Sequence, residues 1–441
     1  MQSTFDTSLS QLLARCDNCQ GLAVALSGGL DSMALLALSH DYAARHNLPI
    51  CAVHIHHGLS ANADSWLTFA KEQCQRLGIT LYSARVQISE QTRKGIEAKA
   101  REARYNKIDE LVPQDYALVL GQHQDDQVET FFLRLKRGAG LKGLGAMHDL
   151  ATWQSRVLLR PLLHVSRADL EQFVAQQKLS HIHDESNDDS RYDRNFLRND
   201  VLPLLNQRFH GFSDKVAQTV TLLQAQQQLL DDIAQSDLES VQHDAHSVSL
   251  DALLALGESR YLNAIRLWLQ HHDCVMPSQI KLNTAFAQFI HAREDAQPSI
   301  TFKTHGNLAV DLRRYNGLIY LVTCSVEPVQ RHLAQGENSV QLDAQTQLTW
   351  WVGNGVRAAH ASEQITIRYG CLNSRIRPHN KPYSNKLSHW LKELKVPPWQ
   401  RQTIPLIFYD ESLVAVVGYF YNHDFLAAEG IQWQITTQIN T

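Results

Sequence analysis

No stretch of the chain approaches the roughly 20 consecutive apolar residues that a membrane span requires. The opening Met1-Gln2-Ser3-Thr4-Phe5-Asp6 lacks the basic segment and apolar core of a secretory leader, so a cytoplasmic protein with no membrane partner is expected. Cysteine is sparse: seven residues, an odd number scattered over 441, argue against a disulfide framework. Cys16 and Cys19 form the only close pair, and a zinc site would need a second pair of ligands at comparable spacing, which does not follow. A structural or incidental role is expected for them. Neither sign of charge dominates. With 41 Lys and Arg against 45 Asp and Glu the net charge is −4, so any binding of nucleic acid has to come from local patches. The first strand–helix junction carries neither the G-x-x-x-x-G-K-S/T loop nor the G-x-G-x-x-G turn, so the usual P-loop and dinucleotide readings fail there.

What stands in their place is an apolar strand, Leu22 to Leu26, running into Ser27-Gly28-Gly29-Leu30-Asp31-Ser32 and out into an apolar helix. Glycine lets the backbone approach a charged ligand closely, and the first N–H groups of a helix, with the positive end of its dipole, point at whatever sits there. The junction therefore reads as a phosphate-binding loop. It resembles the S-G-G-x-D-S signature of the PP-loop ATP pyrophosphatases, which cleave ATP between the α and β phosphates and adenylate a substrate.

The first half of the chain alternates strand and helix. Strands are predicted at 22–26, 50–55, 80–86 and 116–120, with helices at 31–45, 63–77 and 95–111 between them. That alternation implies an α/β domain with a parallel sheet covered on both faces, and in such sheets ligands bind at the carboxyl ends of the strands. The polar residues fall at those ends: Ser27–Ser32, then His56-His57-Gly58-Leu59, then Gly121-Gln122-His123-Gln124-Asp125-Asp126. His54, His56 and His57 invite a metal reading, but the period of a strand separates His57 from the other two and no carboxylate or cysteine adjoins them. Lining a nucleotide cleft suits them better. Asp126 and Glu129, three apart, share one face of the helix that starts there, where they could hold Mg²⁺ on a pyrophosphate leaving group or bind a substrate ammonium. The helix runs on into a basic, glycine-rich turn over 134–144 that contains Arg137 and Lys142 and suits polyphosphate or an RNA backbone.

Together these motifs resemble the tRNA(Ile)-lysidine synthetases. The resemblance rests on S-G-G-L-D-S, H-I-H-H-G-L-S with Asp64 following, A-R-E-A-R-Y at 100–105, H-x-D-D-Q-x-E-T at 123–130, R-G-A-G-L-K-G-L at 137–144 and Arg160-Pro161-Leu162-Leu163. Asp184-Glu185-Ser186-Asn187-Asp188 and Arg194-Asn195-Phe196-Leu197-Arg198 complete it, in the family's order over about 25–205. One departure is Gln122, where the family often has a histidine. The resemblance implies ATP and Mg²⁺ as cofactors, L-lysine and a CAU-anticodon isoleucine tRNA as substrates, and an adenine nucleotide α-hydrolase-like fold for the first domain. ATP would adenylate the oxygen on carbon 2 of the wobble cytidine, and the ε-amine of lysine would then expel AMP to give lysidine. It also implies roles. Ser27, Gly28, Gly29, Leu30, Asp31, Ser32, His56 and His123 would bind ATP, with Asp31 on Mg²⁺. Asp31, Asp126, Glu129, Arg101 and Arg104 would be catalytic, the two acids binding and deprotonating the lysine ammonium and the two arginines neutralising charge. Arg137, Lys142, Arg194, Arg198, Arg377, Lys386 and Arg401 would meet tRNA.

The length suggests roughly three domains, read as 1–213, 214–330 and 345–441. From about 214, glutamines at 224 and 226–228 interrupt a Leu/Ala-rich helix, an acidic helix follows near 231–239, and another carries Arg260 to Leu269, so the middle domain is expected to be helical. In the family such a domain grips tRNA; by residues alone it serves equally for packing or for a homodimer. The last domain, expected to be small and α+β, interleaves basic residues and aromatics around Arg375–Pro378, Lys386–Leu394 and Val396–Arg401, as an RNA-binding surface would. Trp390 and Trp399 are either stacking residues there or core. Two rival functions remain: a PP-loop tRNA thiolase, supported only by Cys16 and Cys19, and a non-catalytic tRNA-binding protein, against which Asp31, Asp126 and Glu129 argue.

Overall fold

The computed structural model describes residues 1–56, 62–86, 96–293, 296, 298–323, 329–333, 338–342 and 346–437. The His57-Gly58-Leu59 turn lies outside these residues, as does the side chain of Arg101. The chain forms two compact units, Met1–Leu230 and Asp231–Thr441.

The first unit is built on β1 (Gly21–Ala25), β2 (Ile50–His56), β3 (Thr80–Arg85), β4 (Tyr116–Val119), β5 (Leu150–Trp153) and β6 (Arg156–Leu159). Its main helices are α1 (Gln2–Leu13), α2 (Leu30–His46), α3 (Ala63–Leu77), α4 (Ile96–Leu111), α5 (Gln124–Lys136), α6 (Leu141–Leu144), α7 (Arg167–Gln176), α8 (Asp193–Phe196) and α9 (Leu202–Arg208). Every strand and helix expected between 22 and 120 is present with its ends within one residue of the expectation. The sheet order is β3-β2-β1-β4-β6-β5, parallel except for β5, which pairs antiparallel with β6. That β5–β6 hairpin, with strands of four residues each, carries too little pattern for the sequence to announce it.

Both faces of this sheet are covered, and alternate residues of each strand feed different cores. Leu22, Val24, Ala52, Ala117 and Val119 pack with α1, α2 and α7 residues such as Leu9, Leu35, Leu36 and Leu170. Ala23, Cys51, Val53, Ile55, Leu118 and Leu120 pack on the other face with Tyr105 and Ile108 of α4. The strands read as near-continuous apolar runs for this reason. β1 lies where the order reverses: β2 and β3 lie to one side, β4 to the other. The loops leaving β1 and β4 therefore diverge, which opens a cleft at their carboxyl ends.

From about residue 212 the structure departs from expectation in two respects. The middle segment has the helices Glu258–His271 and Gln279–His291, but it also carries a five-stranded antiparallel sheet from Gln242–Asp244, Ser247–Ser249, Ser299–Lys303, Ala309–Tyr315 and Leu318–Thr323. Trp268, Phe286 and Phe289 of the helices bury against Val310, Leu312 and Ile319 of the sheet. Residues 212–241 are one helix, Phe212–Val241, where two were expected. Glutamine is a good helix former, so the glutamine cluster does not break it. Beyond it, the expected α+β segment contains a long antiparallel pair, Thr346–Val356 with Leu426–Thr437, a five-stranded sheet and the helix Leu387–Glu393.

α4, which carries Arg101 and Arg104, is fixed from beneath by a buried arginine. Arg156 donates from Nε to Asp109 Oδ1 at 2.8 Å and caps the helix end through the carbonyls of Val112 at 2.9 Å and Pro113 at 2.8 Å. Replacing Arg156 with methionine strands those acceptors. The Arg156→Met variant should lose about 3 kcal/mol of stability, read as a lower urea midpoint with an unchanged slope.

Candidate active site

β1 delivers the chain to Ser27 and then to Gly28, which is buried at φ +91°, a backbone region that favours glycine. A Cβ there would stand 2.7 Å from Ile182 Cδ1. Ile182 N donates to Gly28 O at 2.9 Å, so the segment after α7 clips the loop from outside. The loop is also tied from within. Ser32 Oγ accepts from Gly28 N at 3.0 Å and donates to Gly29 O at 2.9 Å, and Gly29 N donates to Ser27 Oγ at 3.3 Å. Leu30, Asp31 and Ser32 then form the first turn of α2, whose N–H groups face outward at the positive end of the helix.

The loop from β4 meets that helix start closely: a Cβ on Gly121 would lie 3.3 Å from Asp31 O. Two residues on, His123 caps α5 with both ring nitrogens buried and, among the described residues, without a hydrogen-bond partner. Its Nε2 lies 3.7 Å from Asp31 Oδ1 and 3.5 Å from Asp126 Oδ2, and its Nδ1 is 3.9 Å from Asp125 Oδ1. One imidazole thus joins the phosphate loop to the acidic start of α5. Asp31 is itself held by Arg167, whose Nη1 donates to both carboxylate oxygens at 2.7 Å, while Arg167 N donates to Asp125 Oδ1 at 3.1 Å.

Deeper in α5, Glu129 is 0% exposed. Arg198 Nε donates to its Oε1 at 2.6 Å and Arg198 Nη2 to its Oε2 at 3.0 Å, while Arg194 Nε lies 3.4 Å from Oε2. Arg198 Nη2 also reaches Asp126 Oδ1 at 3.0 Å, and Asp126 Oδ2 accepts from His123 N at 3.1 Å. Arg198 sits in a π-helical stretch, Leu197–Val201, between α8 and α9. Such insertions recur at functional sites, because a widened turn re-aims the side chain it carries. Burial pushes the Glu129 carboxyl above its ordinary range against the pull of Arg198 and Arg194.

The remaining expected residues are distributed as follows. His54 Nδ1 lies 2.8 Å from Leu26 O, and burial holds its pKa below the ordinary histidine value. His56 Nε2 is 3.3 Å from Asp64 Oδ1, which also accepts from Arg85 at 2.5 Å. Arg104 lies over the Tyr105 ring at 5.4 Å and makes no ion pair with the acidic cluster among the described residues. Gln122 accepts from the buried Arg160, which also donates to His148 O at 2.7 Å. Arg137 and Lys142 are exposed on the glycine-rich turn. That turn is shaped by Arg134, donating to Gly143 O at 2.8 Å and Ala146 O at 2.6 Å. In the second unit Lys386 is exposed and Arg377 Nε donates to Lys381 O at 3.3 Å. Arg401 bonds Val396 O at 2.8 Å and the Tyr315 hydroxyl at 3.1 Å. Trp390 is buried with its Nε1 on Ile376 O at 3.0 Å, so it is a core residue and offers no stacking face. Trp399 packs edge-on against Tyr315 and Tyr320. Cys16 and Cys19 precede β1, at the opposite end of the strand from the phosphate loop, and both thiols are free.

Sequence reasoning missed Arg167 and Ile182. Ser166-Arg167-Ala168-Asp169 carries only a helix-capping signal, Ser166 accepting from Asp169 N, and nothing local ties it to a loop over 130 residues earlier.

Glu129 sets a pH dependence. A carboxyl whose folded pKa exceeds its unfolded value contributes stability below the unfolded value and loses it as pH rises through the folded one. In Arg198→Met the opposing pull disappears and the folded value climbs further. The variant should match the wild type near pH 4 and fall about 3 kcal/mol below it near pH 8. Urea midpoints at the two pH values measure this, and adding Glu129→Gln should restore the loss. An equal deficit at both would reject the account.

A family model described as a PP-loop domain matches residues 1–205, one described as the TilS substrate binding domain matches 249–320, and one described as the TilS substrate C-terminal domain matches 365–437. The tRNA(Ile)-lysidine synthase of Serratia proteamaculans (strain 568) is 37% identical over 438 residues, covering 97% of this chain and 97% of its own. That of Shigella flexneri is 36% identical over 423 residues, 92% of this chain and 93% of its own. Among solved structures, the U34-tRNA thiolase NcsA from Methanococcus maripaludis aligns with 50% of this chain and 78% of its own at 16% identity and a TM-score of 0.40. On matches of this length and identity to named synthases, the chain belongs to the tRNA(Ile)-lysidine synthase family, an enzyme family of ligases with an ATP-using PP-loop domain.

Proposed function

We propose that this enzyme ligates L-lysine to carbon 2 of the wobble cytidine in a CAU-anticodon isoleucine tRNA, through an adenylated cytidine, releasing pyrophosphate and AMP. The observation that carries this reading is the juxtaposition at His123: its Nε2 is 3.7 Å from the Asp31 carboxylate of the phosphate loop and 3.5 Å from Asp126 of the acidic helix. A site that handles a polyphosphate and then an ammonium needs those two environments side by side.

In the first step the base oxygen attacks the α phosphorus and pyrophosphate leaves. The N–H groups at the start of α2, approached closely because Gly28 and Gly29 carry no side chain, hold phosphate oxygens and stabilise the charge that develops on them. Magnesium on a polyphosphate takes one or two protein carboxylates and fills its remaining positions with phosphate and water oxygens. Asp31, a hard oxygen donor in the first turn of α2, fits that requirement. Among the described residues no group of three or more His, Cys, Asp and Glu side chains forms a cage, and a polyphosphate-bound ion does not need one. When bound, the ion would neutralise charge on the leaving group.

In the second step the lysine ε-ammonium must be recognised and then lose a proton before its nitrogen attacks carbon 2 and AMP departs. Asp126, less buried than Glu129, is the better placed to receive the ammonium. His123, its Nε2 3.5 Å from Asp126 Oδ2, lies next to it to take the proton. Glu129, buried behind Arg198, acts on the charge of that arginine. Arg101 and Arg104 remain the arginines proposed to neutralise the intermediate.

Labelled L-lysine should enter an unmodified CAU-anticodon isoleucine tRNA transcript with wild-type enzyme, ATP and Mg²⁺, and incorporation should fall by about 10²-fold or more in Asp31→Ala. Pyrophosphate release with tRNA but without label in the RNA would instead leave adenylation standing and point to another nucleophile.

A further inference from the structure

The segment that brings arginines to Glu129 turns a second face outward. Arg194 and Arg198 are four residues apart and point in toward α5. Tyr192, the extended N-cap of α8, and Phe196, its last residue, stand at the two ends of the same short turn. They stand 63% and 49% exposed, and Leu135 on the adjoining α5 is 48% exposed. Among the described residues neither ring stacks on another.

Single exposed apolar residues are ordinary on a soluble protein. Two exposed aromatic rings at the ends of the short turn that carries Arg194 to Glu129 are a different matter. Asn195, between them, is buried and donates to Ser186 O at 2.8 Å and Asp189 O at 3.1 Å. Lys136 at the end of α5 pairs with Asp193 at 2.8 Å. The rings are therefore carried on a braced support. The charged residues beside the rings are mostly paired, Lys136 with Asp193 and Arg191 with Asp189, and Arg137 stands exposed at the end of α5.

We propose that Tyr192 and Phe196 form a stacking platform for unpaired nucleotides of the anticodon loop that flank the wobble cytidine. This rests on the function proposed above. An enzyme that acts on carbon 2 of a base has to draw that base out of its stack, and the flanking bases lose a stacking neighbour when it leaves. Aromatic side chains replace such a neighbour without sequence preference, since every base presents a π face. The exposed Arg137 supplies positive charge for an adjacent phosphate. Tyr192 and Phe196 are positioning residues; the reacting atoms lie with the acidic cluster on the other face of the segment.

The test uses the full chain and an anticodon stem-loop transcript with 4-thiouridine at its loop uridines. Irradiation of the wild-type complex should crosslink the RNA to Tyr192 or Phe196, mapped by mass spectrometry. Tyr192→Ala and Phe196→Ala should each raise KM for tRNA by about tenfold, with KM for ATP and the urea midpoint unchanged, and Tyr192→Phe should restore the wild-type value. Crosslinks confined to other residues, with wild-type KM for tRNA in both alanine variants, would overturn the platform. Wild-type enzyme that puts no lysine into tRNA yet crosslinks through these rings would overturn the proposed reaction and leave the platform standing.

Discussion

A carboxylate with no solvent exposure has to be neutralised where it sits, and the Glu129–Arg198 contact is where this fold meets that demand. Taking both charges out of water costs several kcal/mol per ion, and only tight, multiply bonded geometry offsets the cost. Arg198 supplies that geometry by placing Nε and Nη2 on the two oxygens of Glu129 and sharing Nη2 with Asp126. A regular helix through 193–208 would present its residues at a fixed pitch. The π-helical stretch over Leu197–Val201 changes the pitch at Arg198 itself. The position of α8 against α5, the aim of Asp126 and the outward set of Tyr192 and Phe196 all follow from this one pairing.

The other half of the site follows from strand order. Because β1 lies between β2 and β4, the chain leaves β1 toward one face and leaves β4 beside it, and both exits open on the same crevice. The approach is tight enough that Gly121 has no room for a side chain against Asp31 O without a shift. His123 is thereby carried to within 4 Å of Asp31, and its position as the cap of α5 fixes where the acidic turn starts. Packing of the sheet thus sets the distance between two chemical environments that lie almost a hundred residues apart in the chain.

Much of this arrangement was legible in the sequence. Strands buried on both faces must be apolar throughout, so the parallel sheet announced itself as short apolar runs with polar residues at their carboxyl ends, and Ser27–Ser32 and His123–Glu129 fall at those ends. The contacts between motifs were not legible. Arg167 on Asp31 and Ile182 on Gly28 are set by how α7 docks, and their local sequence carries only helix-cap and strand-like patterns. The middle sheet was missed because its strands run from three to seven residues, and two of them follow long helices that dominate the pattern. The sequence leaves Trp390 open between a stacking and a core residue because basic residues surround it; the amphipathic turn Leu387–Leu391 folds it inward, where Ile376 O meets the indole N–H. Spacing of charges near an aromatic does not say which side of the helix the ring takes.

Both halves of the cleft share an electrostatic design. Asp31 is matched by Arg167, and Asp126 with Glu129 by Arg198 and Arg194, with His123 between them. A charge paired in a partly dry cleft is costly to unpair, so an incoming charged ligand is accommodated either by exchanging partners with one of these pairs or by bringing its own counter-charge. On the proposed reaction a polyphosphate accompanied by a divalent cation would do the second, with Asp31 as the carboxylate to hold the ion. On the same proposal a lysine ammonium would do the first, replacing one hydrogen bond of Arg198 at Asp126 while Arg198 keeps its two bonds to Glu129. Glu129 would permit that exchange: its two bonds retain Arg198 inside the fold when Asp126 is given up, so no buried charge would be left alone.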